Sequence, residues 1–106
     1  MARWLLRVLR RVRVTGESME PTLSPGTTVL VNMRAYRDVG PAVGDVVVAN
    51  HPQSGIEIIK RVESVDDGEI RIRSDNSDTL EVSDSRIFGP IASDQITGKV
   101  VAQIEP

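Results

Sequence analysis

The chain has 106 residues, enough for one small domain, and its 40% hydrophobic content includes only one Trp, one Tyr and one Phe. The core must then come mainly from Val, Ile and Leu, and at this size a closed or partly closed sheet fits better than a thick layered fold. No cysteine and a single histidine, His51, exclude disulfides, thiolate metal sites and a cysteine nucleophile and argue against a His-rich metal centre. The net charge of −2 is uneven: Arg3, Arg7, Arg10, Arg11 and Arg13 stand among residues 1–13 without an acid, while residues 14–106 carry −7. An acidic body without a basic stripe gives no sign of a nucleic-acid partner.

The opening "MARWLLRVLRRVRV" has two readings. On a helix, Trp4, Leu5, Val8, Leu9 and Val12 form one apolar stripe flanked by arginine, as in a helix lying at a membrane surface. The other reading is a terminal helix or strand packed on the domain with solvated arginines. The segment is too short and charged to span a bilayer. It also lacks the small-residue cleavage site of a secretory signal. We therefore divide the chain into a basic amphipathic segment, residues 1–13, and a domain, residues 14–106. The expected setting is cytoplasmic, with peripheral membrane contact through residues 1–13 as an option.

Beyond residue 13 short β-type runs alternate with turn signals. "TTVLVN" (27–32) follows Ser24-Pro25-Gly26, and "DVVVAN" (45–50) ends before His51-Pro52. "IEIIKRVESV" (56–65) leads through Asp66-Asp67-Gly68 into "EIRIRS" (69–74), the clearest hairpin, because Asp-Gly suits a primed turn. The polar stretch 74–86 predicts a loop, and "ITGKVVAQI" (96–104) a closing strand. The pattern predicts an all-β fold, a small coiled sheet resembling a barrel.

Two residues stand out chemically. Ser18 lies in "TGESMEPTL", and a serine hydroxyl attacks well only when a base removes its proton. Read alone, it is more simply a turn hydroxyl bonded to its own backbone. His51 sits in a turn-like "NHPQSG", which makes a Ser-His-Asp triad the weaker option. In "IEIIKRV", alternation puts Ile56, Ile58, Lys60 and Val62 on one strand face, and Glu57, Ile59, Arg61 and Glu63 on a more solvated one. Lys60 thus points with the apolar side, unless it lies at a strand edge and extends its ammonium to water. Burial disfavours the ammonium. A lysine base working near neutrality needs a pKa about 3 units below its usual value, roughly 4 kcal/mol of destabilisation.

Taken together, these segments resemble the type I signal peptidase family of Ser/Lys-dyad proteases, within the signal peptidase and LexA-like superfamily. "VTGESMEPTL" looks like its nucleophile box, "GDVVVANHP" followed by "IIKRV" its lysine box, "SDN" and "SDSRIFGPI" its late box, and "ITGKVV" its closing strand. The match runs in order from Val14 to Val101. The resemblance implies Ser18 as nucleophile, Lys60 as general base and the Ser18 backbone N–H as oxyanion donor. Gly16 stands where some relatives carry a second hydroxyl donor and others glycine. Met19 and Pro21 match residues that shape the turn behind the serine. Asp84 and Arg86 match a pair that braces the active-site loops, the alternative being a solvated surface pair.

There are two departures. The late box opens Ser74-Asp75-Asn76 where relatives have Gly-Asp-Asn, and the place of a lysine-orienting serine is taken by Val82. Ser83 and Ser77 are the candidates to replace it, with Asp75 in support. The resemblance implies a serine endopeptidase without cofactor or metal, acting on a precursor protein with an N-terminal extension and small residues before the cut. Read as a small, anchor-free member with "ANHP" before the lysine strand, the chain looks most like the nickel-type superoxide dismutase maturation proteases. The rivals are a general type I signal peptidase, a LexA-like self-cleaving protein, and a non-catalytic peptide-binding β-module. The absence of Ala-Gly counts against the LexA-like reading, and the presence of both Ser18 and Lys60 against the β-module.

Overall fold

The computed structural model describes residues 8–78 and 83–105. The strands are β1 (Leu9–Arg13), β2 (Thr28–Asn32), β3 (Val46–Asn50), β4 (Glu57–Asp66), β5 (Glu69–Arg73) and β6 (Ile96–Glu105). They form one antiparallel sheet in the order β1-β2-β6-β3-β4-β5, which bears out the all-β expectation. The strands predicted at 27–32, 45–50, 56–65 and 69–74 all form. The hairpin also forms, with Asp67 at φ 50° and Gly68 at φ 80°, the two left-handed residues that a primed turn requires.

Three features go beyond what the sequence decided. Leu9–Arg13 is an edge strand paired to β2, so the helical stripe does not run through it. Residues 9–13 of the basic segment are thereby part of the sheet, and residues 1–7 lie outside the described residues. The last strand, β6, lies in the middle of the sheet between β2 and β3. A Cβ at Gly98 would fall 2.5 Å from Val31 Cγ1, so only glycine lets β6 lie this close to β2. The polar stretch 74–86 is a loop over its described part, but its end opens a one-turn helix, α1 (Ser85–Phe88), capped by the Asp84 side chain accepting from Arg86 N.

Successive residues of a strand point to opposite faces, and here both faces are covered. Val48, with Val46 packed beside it, joins Val14, Met19, Leu23, Val29 and Val31 in a first apolar cluster. Val47 and Ala49 join Val62, Ile70, Ile72 and Ile91 in a second. Irregularities in register at Thr28/Val29, Leu30/Val31, Val48/Ala49 and Val62/Ser64 bend the sheet. The bend is strong. In a flat sheet β1 and β4 would stand about 19 Å apart, four strand spacings. Yet Arg10 Nη2 donates to Glu57 Oε1 at 2.6 Å, and residues of both strands line one groove. The sheet therefore curls until β1 faces β4.

Candidate active site

The segment Val14–Leu23 leaves β1 as a tight turn pinned from both sides. Val14 N donates to Thr27 O and Gly26 N to Val14 O, both at 2.8 Å, which closes the base of the loop. Gly16 takes φ 75°, a left-handed conformation that suits glycine, and the Glu20–Pro21 peptide is cis. Met19, 1% exposed, is buried in the first cluster and anchors the turn there. Leu23 N donates to Met19 O at 2.9 Å. Ser18 lies immediately before this anchor, at the edge of the groove.

Lys60 comes from the other direction. It stands on β4 between Ile58 and Val62, both associated with the second cluster, and is 3% exposed. Its Nζ donates to Ser18 Oγ at 2.9 Å. Burial pushes the Lys60 pKa below the usual lysine value; the nearby Asp84 carboxylate opposes this and Arg86 adds to it. Of the two readings left open for Lys60, the structure shows the buried one, not an ammonium at a strand edge reaching water. Ile56 does not follow, since it precedes β4 and is 67% exposed. On the other face, Ile59 packs against the first cluster.

Ser18 and Lys60 share a groove of about 110 Å³ whose walls include Val12 on β1, Thr15 just after it and Ile58 on β4. The residues after β5 clamp the serine turn from outside. Asn76 N donates to Ser18 O, and Asn76 Nδ2 donates to Glu17 O, both at 2.9 Å. Asp75 accepts from Arg61 Nε at 2.8 Å and Nη2 at 2.7 Å, and from Thr22 Oγ1 at 2.6 Å. Those hydrogen bonds, Arg61 first, outweigh burial and hold the Asp75 pKa below its ordinary value. One carboxylate therefore ties the serine turn to the lysine strand.

Asp84 and Arg86 form a second pair, with Arg86 Nε and Nη2 donating to Asp84 at 3.0 and 2.9 Å. Asp84 is fully buried and also accepts from Ser74 N at 2.9 Å, so it is not a solvated surface ion. Burial alone would raise its pKa, but the donors from Arg86 and Ser74 overcome this and hold it well below the carboxylate range. Pro21 is exposed on the outside of the turn, and Ser83 is half-buried beside Asp84. Val82 lies outside the described residues. His51 serves its own turn: Nδ1 accepts from Gln53 N and Ser54 N, and the ring packs edge-on to Phe88 at 4.9 Å.

Sequence reasoning missed Arg61, Thr22 and Asn76. Strand alternation puts Arg61 on the solvated face, but its guanidinium is half-buried on Asp75. The available signal was the Asp75-Asn76 pair just after a strand, acceptors and donors that need partners when the loop folds back.

The family model "Signal peptidase, peptidase S26" matches residues 2–82. The chain is 37% identical over 62 residues to signal peptidase IB of Staphylococcus aureus, covering 58% of this chain and 32% of that protein. It is 33% identical over 113 aligned positions to the mitochondrial ATP-independent inner membrane protease subunit 1b of Arabidopsis thaliana, covering 86% of this chain and 67% of that one. The chain thus spans about a third of the length of the staphylococcal relative. With a family match over most of its length, the chain belongs to the signal peptidase family, peptidase S26.

Proposed function

We propose that this chain is a serine endopeptidase in which Ser18 is the nucleophile and Lys60 the general base, and that it removes an N-terminal extension from a partner protein. The observation that carries the reading is the 2.9 Å contact between Lys60 Nζ and Ser18 Oγ, with the lysine buried. The substrate lies extended in the groove between β1 and β4, where backbone pairing sets its register. Neutral Lys60 takes the proton of Ser18 as Oγ bonds to the scissile carbonyl carbon. The Ser18 backbone N–H donates to the resulting oxyanion. The tetrahedral intermediate collapses, the C–N bond breaks, and Lys60 gives its proton to the leaving amine. Lys60 then deprotonates a water that attacks the ester, and Ser18 regains its proton on release of the acid product.

Met19 and Gly16 set the shape of the turn, and Asp75 holds that turn against β4 through Thr22 and Arg61. For the substrate we propose a nickel superoxide dismutase precursor, supported by the "ANHP" stretch before β4, with the enzyme in the cytoplasm. The second reading, a general signal peptidase, is favoured by the relatives, which include a protein named signal peptidase IB. Among the described residues no helix is long and apolar enough to cross a membrane.

The test is to incubate the purified chain with a nickel superoxide dismutase precursor and, separately, with a secretory preprotein, and to follow the new N-terminus by mass spectrometry. Cleavage is expected to fall at least ~10³-fold in both Ser18→Ala and Lys60→Met. Full activity in either variant sinks the dyad. Cleavage of the secretory preprotein alone decides for the second reading.

A further inference from the structure

A neutral lysine that serves as a base has one lone pair and two N–H bonds. The lone pair must face the serine, so the N–H bonds need an acceptor elsewhere. The ladder between β4 and β5 shows where one stands. Arg61 faces Arg73 and Val62 faces Ile72, and one step further along the same register brings Lys60 opposite Ser74. Directly opposed residues of an antiparallel pair share a face, with Cβ atoms about 5 Å apart. Val62 and Ile72 are buried together in the second cluster, and two residues on, Lys60 and Ser74 occupy the same side.

Ser74 is only 6% exposed, and its Oγ is a buried polar atom that completes no hydrogen bond among the described residues. An ordinary structural serine avoids that state, because a buried hydroxyl without a partner loses its hydration for nothing. Its backbone N donates to Asp84 Oδ2 at 2.9 Å. Ser74 therefore has the base on one side and a buried carboxylate on the other. The serines that motif spacing offered for this task are placed less well: Ser77 is exposed and Ser83 half-buried.

We propose that Ser74 is the residue that orients Lys60, its Oγ accepting an N–H from Nζ while its own O–H donates to Asp84. The inference rests on the assignment of Ser18 and Lys60 as the dyad. When Ser18 attacks, its proton passes to Nζ, and the new ammonium is held by Ser74 Oγ. No bond to Ser74 breaks, so it positions the base and does not react. The charged groups acting on Lys60 are Asp84, which favours the ammonium, and Arg86, which opposes it. Ser74 connects the lysine to the favourable one.

The chain has two lysines, Lys60 and Lys99, so both can be followed by NMR in protein labelled with 15N-lysine. The experiment compares wild type with Ser74→Ala and Ser74→Thr. It reads the Lys60 titration midpoint, and kcat and KM on an internally quenched peptide carrying Ala-Xaa-Ala before the scissile bond. Ser74→Ala is expected to lower kcat roughly 10- to 100-fold with KM unchanged, the loss of one hydrogen bond to a charged group. The Lys60 midpoint should move down while that of Lys99 stays in place, and Ser74→Thr should restore most of both. Wild-type kcat together with an unmoved Lys60 midpoint in Ser74→Ala overturns the proposal. Cleavage that survives Ser18→Ala or Lys60→Met overturns the dyad itself. Loss in both of those with Ser74→Ala unaffected overturns only the role of Ser74. The titration decides the question even where the peptide is not cut.

Discussion

The two apolar clusters do different work for the same site. The first, around Met19, Val29, Val31 and Val48, holds a turn, and Ser18 stands beside its anchor. The second, around Val47, Val62, Ile70 and Ile72, holds strands, and Lys60 is the charged member of the face that Val62 and Ile72 share. The serine needs only to be placed, because its hydroxyl is neutral and small. The lysine needs to be placed and dried, because exclusion of water is the largest cause of its lowered pKa. The proposed dyad is thus a meeting of two cores, one giving geometry and the other giving geometry and desolvation.

Cavities should separate these roles. Met19→Ala removes a fully buried side chain from the first cluster, at a cost of about 2–5 kcal/mol. It should loosen the Ser18 turn, lowering kcat without moving the acid limb of the pH–rate profile. Val62→Ala removes a smaller buried group beside Lys60, at a cost of about 1–3 kcal/mol. Space next to the ammonium should let water in and raise the lysine pKa, so the acid limb should move to higher pH. Chemical denaturation gives the stabilities, and pH profiles of kcat/KM the limbs. An equal shift of the limb in both variants would mean that the two clusters are not distinct in function.

The same division explains what could be read from the residues alone. β2 to β5 were legible within a residue because short runs rich in β-branched side chains are separated by glycine-marked turns. Parity with Ile58 and Val62 put Lys60 on the apolar face but left its burial open, because a lysine at a strand edge can extend its ammonium to water. The structure buries it. β1 was ambiguous for a physical reason: Val8 and Val12 lie four apart, a spacing that fits a helical stripe and a strand face equally. The central place of β6 was not legible, because hydrophobic period records which face a residue takes and not which strand lies beside it. Arg61 was misplaced for a related reason, since its partner Asp75 stands across a hairpin and a loop. Motif spacing pointed to Ser83 or Ser77 beside the lysine, whereas the β4–β5 register points to Ser74, a relation visible only once the strands are paired.

Lys60→Met tests the second cluster from the side of stability. The folded-state pKa of Lys60 lies below its unfolded value, so between the two the unfolded chain binds more protons. Stability from this group must rise with pH across that window, and the penalty is fully present below the folded pKa. A methionine of similar length removes the penalty. The variant should gain about 1–3 kcal/mol at neutral pH while losing cleavage, and its stability should lack the rise with pH that wild type shows toward about 10.5. Thermal melts of both proteins between neutral and alkaline pH measure this. A variant less stable than wild type at neutral pH would mean that the ammonium is well solvated, and that the second cluster does not dry its lysine.

The smallest effect concerns what brings the two halves together. β1 faces β4 across the groove, and the visible link is the ion pair of Arg10 with Glu57. Both side chains are 39% exposed, so the charges remain largely hydrated and the pair should contribute under about 1 kcal/mol. The curl of the sheet has a stronger cause in Val12 and Val14, which pack into the first cluster from the β1 side, and in the bulges of β2. Arg10→Gln should accordingly cost less than about 1 kcal/mol, and the difference from wild type should disappear by about 1 M salt, where screening acts within ~3 Å. Denaturant titrations at low and high salt are sufficient. A larger loss that persists in salt would show that the ion pair, and not apolar packing, holds β1 over β4 and keeps the groove closed around Ser18 and Lys60.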